Sequence, residues 1–513
     1  MGTARAPDPF SGDQPDPSDM AEAVQLFLLK PPAENALKLA RCRGKLQFRK
    51  QKKGKFAEFT AWDCFDGSIR SSGRLLVERG RKLHLLGQGY VLTQSAKRKG
   101  NFLHDLRAGP VKEALRGQFP LRRLLPVASG RLARKRYWIT WKRAGGGALV
   151  RWQFSGAFGS VSLIDVLAEP GAPRDAAVQF LTGLGAVPAA PGDLYALLAP
   201  GRPVYRLKPR APLAPAQPAL EAAAAIIRSC LSVARQNEPG IISDLDTEFL
   251  HDYRISLRRI RSVLSLFKGV FTAEDTARLK QAFSGLMEPT GRLRDLDVYL
   301  LQRERFYAQV PQPLHPGLDA MFSAFEAERQ QCHQQLALHL AGARYKWQIA
   351  ALQAEFAEGA GIAPGPKAAR PALEFAQRLI WKRFSKVCRI AEGITPQTAD
   401  AEIHELRISC KKLRYLMELF EPLFPERELK LMLKPLKRLQ NTLGDFNDCS
   451  VQQAALLAFA ARPAATRQIA LSAGALIAVL HQNQLAARGQ VEERFRAFNS
   501  PETQAGFREL FRA

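Results

Sequence analysis

His251-Asp252-Tyr253-Arg254-Ile255-Ser256-Leu257-Arg258-Arg259-Ile260-Arg261 decides the fold of the second half of this chain. At roughly 100° per residue, His251, Arg254, Arg258 and Arg261 fall within about 80° of one another, while Tyr253, Leu257, Ile260, Leu264 and Phe267 gather on the far side. This is a helix with a core face and a cationic face. Residues 404–414, His404-Glu405-Leu406-Arg407-Ile408-Ser409-Cys410-Lys411-Lys412-Leu413-Arg414, repeat both faces, with Leu406, Cys410, Leu413, Met417 and Phe420 as the apolar stripe. The spacing of 153 residues also carries Gly291 to Gly444, Leu293 to Phe446, Asp295 to Asp448 and Val298 to Val451 without a gap. That is an internal duplication. A lone helix that is basic on one face is ordinarily a solvated surface, but two copies with one His and three cations in the same phase make a constellation. Packed about a pseudo-two-fold axis, the two faces would line one shared groove.

The two motifs, His251-x-x-Arg254-x-x-x-Arg258-Arg259-x-Arg261 with Leu293-Arg294-Asp295-Leu296-Asp297, and His404-x-x-Arg407-x-x-x-Lys411-Lys412-x-Arg414 with Gly444-Asp445-Phe446-Asn447-Asp448, resemble the conserved-histidine α-helical domain, or CHAD, over about residues 217–510. The resemblance implies an all-helical pair of related bundles whose basic groove binds inorganic polyphosphate, often on polyphosphate granules. It makes Arg254, Arg258, Arg259, Arg261, Arg407, Lys411, Lys412 and Arg414 the candidate phosphate ligands. His251 and His404 would either donate to phosphate or orient a neighbouring helix by a hydrogen bond.

Composition agrees with a polyanionic partner. The 513 residues carry a formal charge of +27, enough to attract nucleic acid, an acidic membrane surface or polyphosphate. Residues 1–210 hold 36 Lys/Arg against 16 Asp/Glu and residues 211–513 hold 39 against 32, so the helical half depends on where its cations are placed. Seven scattered cysteines without CxxC spacing read as reduced thiols, neither a disulfide framework nor a zinc site. The opening residues lack the basic and apolar regions of a signal peptide. The apolar run Ile469–Leu480 is short for a bilayer span and reads as a buried helix, so a cytoplasmic protein without membrane contact is expected.

In chain order, residues 1–20 read as a disordered acidic tail and residues 21–210 as an α+β, antiparallel, barrel-like module. Tyr137–Trp141 and Ala148–Phe154 around Gly145-Gly146-Gly147 give a hairpin signal, and the glycines, followed by no Gly-Lys-Ser/Thr, read as a turn and not a phosphate loop. Further strands are expected at residues 46–49, 74–79, 82–86 and 161–166, with a helix over residues 174–184. Basic residues recur at alternating positions, among them Arg43, Lys45, Arg49, Arg79, Arg134, Arg136 and Arg151, on either a cationic interior or a solvated outer face.

The stretch Trp62-Asp63-Cys64-Phe65-Asp66-Gly67 through Arg74-Leu75-Leu76-Val77-Glu78-Arg79 resembles the CYTH, or triphosphate tunnel, fold in a divergent form. At the position of that family's Glu-x-Glu-x-Lys stands Leu26-Phe27-Leu28-Leu29-Lys30, with both carboxylates replaced; a later acidic pair keeps Asp165 but has Leu167 for its second acid. Tunnel hydrolysis needs carboxylates to hold divalent cations. The resemblance therefore implies a pseudoenzyme, and a triphosphatase is the disfavoured alternative.

Residues 211–218 read as a Pro/Ala linker, followed by an all-α, duplicated helical-bundle module over residues 219–510, with repeat units of about 219–357 and 367–510. Its first helix is expected to cover 219–235 and to end at Asn237-Glu238-Pro239-Gly240. In the second repeat, Arg378, Lys382 and Lys386 form a stripe on a helix over 373–390, and Lys434, Lys437 and Arg438 another on a helix over 428–443. Asp295, Asp297 and Asp448, close to arginines, read as helix caps or Arg-orienting partners ahead of metal ligands. No metal, cofactor or catalytic group is expected. Polyphosphate asks for many Lys and Arg at phosphate spacing, which a helix face supplies. A general polyanion or nucleic-acid binder is the alternative, disfavoured because base stacking calls for aromatics among the cations. Granule-associated proteins are further candidate partners.

Overall fold

The computed structural model describes residues 24–30, 46–50, 54–141, 144–168, 171–202, 204–358, 361–395, 397–463 and 465–512. The acidic tail, Arg43, Lys45 and the hairpin tip at Lys142-Arg143 lie outside the described residues. The chain divides into two compact units, Met1–Tyr205 and Arg206–Ala513.

The first unit is built on one antiparallel sheet. Its strands are β1 (Val24–Leu29), β2 (Leu46–Lys50), β3 (Ala57–Asp63), β4 (Leu75–Arg79), β5 (Lys82–Gly87), β6 (Tyr90–Ser95), β7 (Leu125–Trp141), β8 (Ala144–Gly156), β9 (Gly159–Leu167) and β10 (Val187–Pro188). They run in the order β10-β1-β9-β8-β7-β3-β4-β5-β6, with β2 paired to the far end of β7. Alternation along the strands sends one set of side chains to each face. On one face Leu26, Leu28, Phe59, Trp152, Phe154 and Leu163 form an apolar cluster with Leu194, Tyr195 and Leu198. On the other, Phe27, Phe48, Ile139 and Ile164 pack under the helix α1 (Ala172–Gly183) through Ala177 and Leu181. The first of these faces also carries Arg134 and Arg136, directly opposite Trp152 and Val150 across β7 and β8, with Arg134 5.0 Å from the Trp152 ring, so cations share that face with the apolar cluster. Arg151 is buried, and its Nε donates to Ser162 Oγ at 2.8 Å.

The second unit is all helical. Its first repeat holds α2 (Ala219–Ile242), α3 (Thr247–Leu266), α4 (Ala273–Met287), α5 (Gly291–Leu301), α6 (Arg303–Gln309), α7 (His315–Ala341) and α8 (Ala343–Glu355). Then come α9 (Ala372–Glu392), α10 (Asp400–Leu419), α11 (Glu426–Ala460), α12 (Arg467–Gly489), α13 (Val491–Phe498) and α14 (Pro501–Phe511). The 153-residue spacing carries both ends of α3 onto those of α10, and the starts of α2 and α4 onto those of α9 and α11. Asp246 caps α3 by accepting from the Glu248 amide at 3.0 Å, and Thr272 caps α4 by accepting from Asp275 at 3.1 Å.

The repeats meet about a local two-fold axis. The Ala219 amide donates to the Arg370 carbonyl at 2.8 Å, and the equivalent Ala372 amide donates to the Gln217 carbonyl, also at 2.8 Å. Phe267 and its counterpart Phe420 stack face to face, centroids 4.8 Å apart and planes 5° from parallel. The Pro/Ala stretch before α2 is part of this junction: Gln217 and Pro218 pair with the second repeat, and the Pro215 carbonyl accepts from Leu373.

Two helix ends differ from expectation. α2 does not stop at Asn237 but runs through Pro239 to Ile242. Tertiary contacts outweigh the breaker there: Asn237 and Gly240 are buried, and the Tyr345 hydroxyl donates to Glu238 Oε1 at 2.5 Å. The helix expected over 428–443 is the 35-residue α11, continuing where Glu288-Pro289-Thr290 separates α4 from α5 in the first repeat. Arg467–Phe498 has the length and apolar content of a membrane span, and its Ile469, Leu476 and Leu480 pack with Leu318, Phe322 and Phe325 of α7 in the core.

Candidate phosphate-binding site

The apolar stripe of α3 places its cations. Tyr253, Leu257, Ile260 and Val263 are fully enclosed, so His251, Arg254 and Arg258 must turn to the opposite side. α10 does the same through Leu406, Cys410, Leu413 and Met417. The two helices pack against each other, and between them lies a cavity of about 320 Å³ walled by His251, Arg258 and Arg259 from α3 and by Arg407, Lys411 and Arg414 from α10. Glu418, Tyr415 and Lys208 complete much of the wall. His251 and Arg258 also border a second cavity, about 670 Å³, that opens between α3, α5, α11 and α12 and takes in Arg254, Arg292, Arg294 and Arg305.

Electrostatics mark the smaller cavity as short of negative charge. Burial, followed by the charges of Arg258, Arg407 and Arg414, lowers the Lys411 ammonium from its ordinary 10.5 to about 8. In the wall of the larger cavity, burial also lowers Arg254, with Arg258 adding to the effect. Glu418 is the main counter-charge, with Lys208 at 2.9 Å, Arg259 at 3.6 Å, Lys437 at 3.9 Å and Arg414 at 4.0 Å.

The other expected ligands are placed as follows. Arg259 lines the smaller cavity but is 4% exposed and turned off the α3 cationic arc towards Glu418, so it joins the two helices. Arg261 is exposed, its Nη1 3.5 Å from Met287 Sδ, and borders neither cavity. His404 also borders neither: its Nδ1 meets Asn447 Oδ1 at 2.8 Å, tying α10 to α11. Arg378 pairs with Glu374 on its own helix and Lys386 with Glu405, both at 2.9 Å. Lys412 faces Arg383, Lys386 and Lys268, and burial with their charges lowers it. Lys382, Lys434, Lys437 and Arg438 lie outside both walls. Seven of the sixteen expected residues thus come together around the paired cavities.

Lys208, Arg292, Arg294, Arg305, Tyr415 and Glu418 complete the site without having been chosen as ligands from sequence. Arg292 and Arg294 flank Asp295 in the repeated segment, which was the available signal; Arg305, on a short connecting helix, carried none. The aspartates bind arginine side chains: Asp297 accepts from Arg329 Nε at 2.8 Å and Asp448 is 3.7 Å from Arg407. α5 begins at Gly291, so Asp295 and Asp297 stand beyond its first turn and cap nothing. Glu248, His251 and Asp252 converge closely enough to hold a cation.

In the first unit, Leu26 and Leu28 are buried in the apolar cluster. Burial pushes the Asp165 carboxyl up to about 7 against the pull of Arg134.

Residues 225–457 match the model of the CHAD domain family. Among solved structures, the chain is similar to the CHAD domain from the plant Ricinus communis, at 25% identity over 61% of this chain and 97% of that one, TM-score 0.43. It is also similar to PptA from Streptomyces chartreusis, at 17% identity over 55% of this chain and all of that one, TM-score 0.42. No curated protein matches.

Proposed function

We propose that the CHAD helical unit binds inorganic polyphosphate along the seam between α3 and α10. The observation that carries this reading is the convergence of equivalent helix faces, Arg258 from one repeat and Arg407, Lys411 and Arg414 from the other, on one cavity with a single acid in its wall. A chain of bare phosphates offers only repeated negative oxygens, which arginine forks and a lysine ammonium satisfy without reading shape or sequence. The same proposal extends to association with polyphosphate granules in the cytoplasm, alone or with granule proteins. Tyr415, 5.8 Å from Lys411 and 5.6 Å from Arg414 ring to cation, favours the second reading, single-stranded nucleic acid, since it is an aromatic among the cations.

We also propose that the first unit is a divergent CYTH-like module without hydrolase activity. Leu26 and Leu28 support this, because aliphatic side chains in a closed core offer no ligand to a divalent cation. Incubating the full chain with tripolyphosphate and Mg²⁺ or Mn²⁺ is expected to release no phosphate; turnover that follows enzyme concentration contradicts the assignment.

Polyphosphate binding is tested by Arg407→Ala with Lys411→Ala, expected to weaken affinity about a hundredfold, since each charged hydrogen bond is worth roughly a factor of ten or more. Arg508→Ala with Arg512→Ala removes the same charge from exposed positions at the end of α14 and just beyond it. Equal losses from the two pairs would mean diffuse attraction without a site.

A further inference from the structure

The larger cavity does not repeat the chemistry of the smaller one. Arg292 is taken up by a two-pronged pair with Glu328, at 2.5 and 2.8 Å, and Arg294 lies 3.9 Å from Glu248. The remaining arginines, Arg254, Arg258 and Arg305, share the wall with Asp295, Asp445 and Asp448. Asp448 lies 3.7 Å from Arg407, so three cations face two further carboxylates, a weaker receptor for a bare polyanion than the smaller cavity with its single acid.

The rest of the lining is neutral. Val298, Val451 and Leu480 supply aliphatic surface. Gln452 donates to Gln302 Oε1 at 3.1 Å across the repeats. Asn483 Nδ2 is buried in the wall and has no hydrogen-bond partner among the described residues, a donor whose acceptor must come from elsewhere. A concave site of about 670 Å³ with apolar walls and a few directed polar groups is of small-molecule size.

We infer that this cavity binds a nucleoside polyphosphate. Its phosphates lie against His251, Arg254 and Arg258, where the two cavities adjoin. Asp445 and Asp448 accept from ribose hydroxyls or a base amino group, Asn483 donates to a base carbonyl or ring nitrogen, and the flat base rests on Val298 and Val451. The inference depends on the preceding reading of Arg254 and Arg258 as phosphate ligands, and it adds a consequence. Because His251 and Arg258 border both cavities, the nucleotide and the polyphosphate chain compete.

The test is titration calorimetry of the full chain with ATP and with tripolyphosphate, comparing the wild type with Asp445→Asn and Asn483→Ala. Asp445→Asn is expected to weaken ATP about tenfold while tightening tripolyphosphate severalfold, since it loses an acceptor for the nucleoside and a repulsive charge for the bare chain. Asn483→Ala is expected to weaken ATP severalfold. The inference is overturned if Asp445→Asn moves both ligands in the same direction, or if neither variant changes ATP affinity. Wild-type binding of long-chain polyphosphate separates the two readings: if it persists while ATP is insensitive, only the nucleotide site falls, and if it is absent, the phosphate seam falls as well.

Discussion

Lys411 concentrates the chemistry of the proposed seam in one amine. Its ammonium is lowered to about 8 by burial and by Arg258, Arg407 and Arg414, and a polyanion supplies the charge it lacks. Binding should therefore raise its proton affinity, so complex formation near pH 8 takes up protons, and affinity falls as pH climbs from about 8 towards the bound-state value. Calorimetry in buffers of different ionisation heat reads the uptake, and Lys411→Arg, whose charge does not titrate, should abolish it. The same depression costs stability. A lysine with a folded-state value below its unfolded 10.5 opposes folding fully below pH 8 and is relieved between about 8 and 10.5. Lys411→Met should stabilise the fold at pH 7 by about 2 kcal/mol, an advantage that shrinks above pH 8 in thermal melts, while weakening polyphosphate binding. A destabilised Lys411→Met would show that the amine is a structural group.

At the scale of elements, two contacts fix the helices that carry the site. Glu418, 7% exposed at its side chain, receives Arg259 from the opposite repeat and Lys208 from the segment before α2. Removing one charge of such a group strands the others, so Glu418→Gln should cost about 3 kcal/mol, read as a lowered urea midpoint at unchanged slope. Gly317 of α7 lies where α12 crosses: an added Cβ would stand 2.2 Å from the Gln468 carbonyl oxygen and 2.2 Å from Ser472 Oγ. Gly317→Ala should force the helices apart and cost about 2 kcal/mol. Unchanged melting would mean the crossing is loose.

Element boundaries also show what a sequence can and cannot express. The 3.6-residue period and the 153-residue spacing identified α3 and α10, and the repeated phase of their cations placed Arg258 and Lys411 on one side of each. Pro239 was misleading because a breaker acts locally, whereas burial of Gly240 against the Phe249 ring is a contact made after the chain turns back. His404 and Arg261 share motifs with true wall residues but border neither cavity, because which flank of a helix meets its neighbour depends on the crossing of helices, and no spacing along one strip of sequence encodes that. Arg305 and Tyr415 join the cavities through the same packing.

For the whole molecule, charge placement matters more than charge total. The first unit carries most of the excess positive charge, yet the sheet face that bears Arg134 and Arg136 is shared with the buried apolar Trp152, Phe154 and Leu163. The nearly balanced helical unit gathers its cations on a two-fold seam, with Phe267 stacked on Phe420 at the junction. A pool of unspecific charge should bind any polyanion alike and weaken steeply with salt, whereas a seam shaped by two matched helices should keep a preference for bare phosphate at physiological ionic strength. Competition measures that difference: labelled long-chain polyphosphate on the full chain, challenged with unlabelled polyphosphate or with single-stranded or duplex DNA at equal phosphate concentration. Displacement by polyphosphate and not by either DNA is the predicted result; equal displacement by DNA would contradict it and make nucleic acid the partner of the seam.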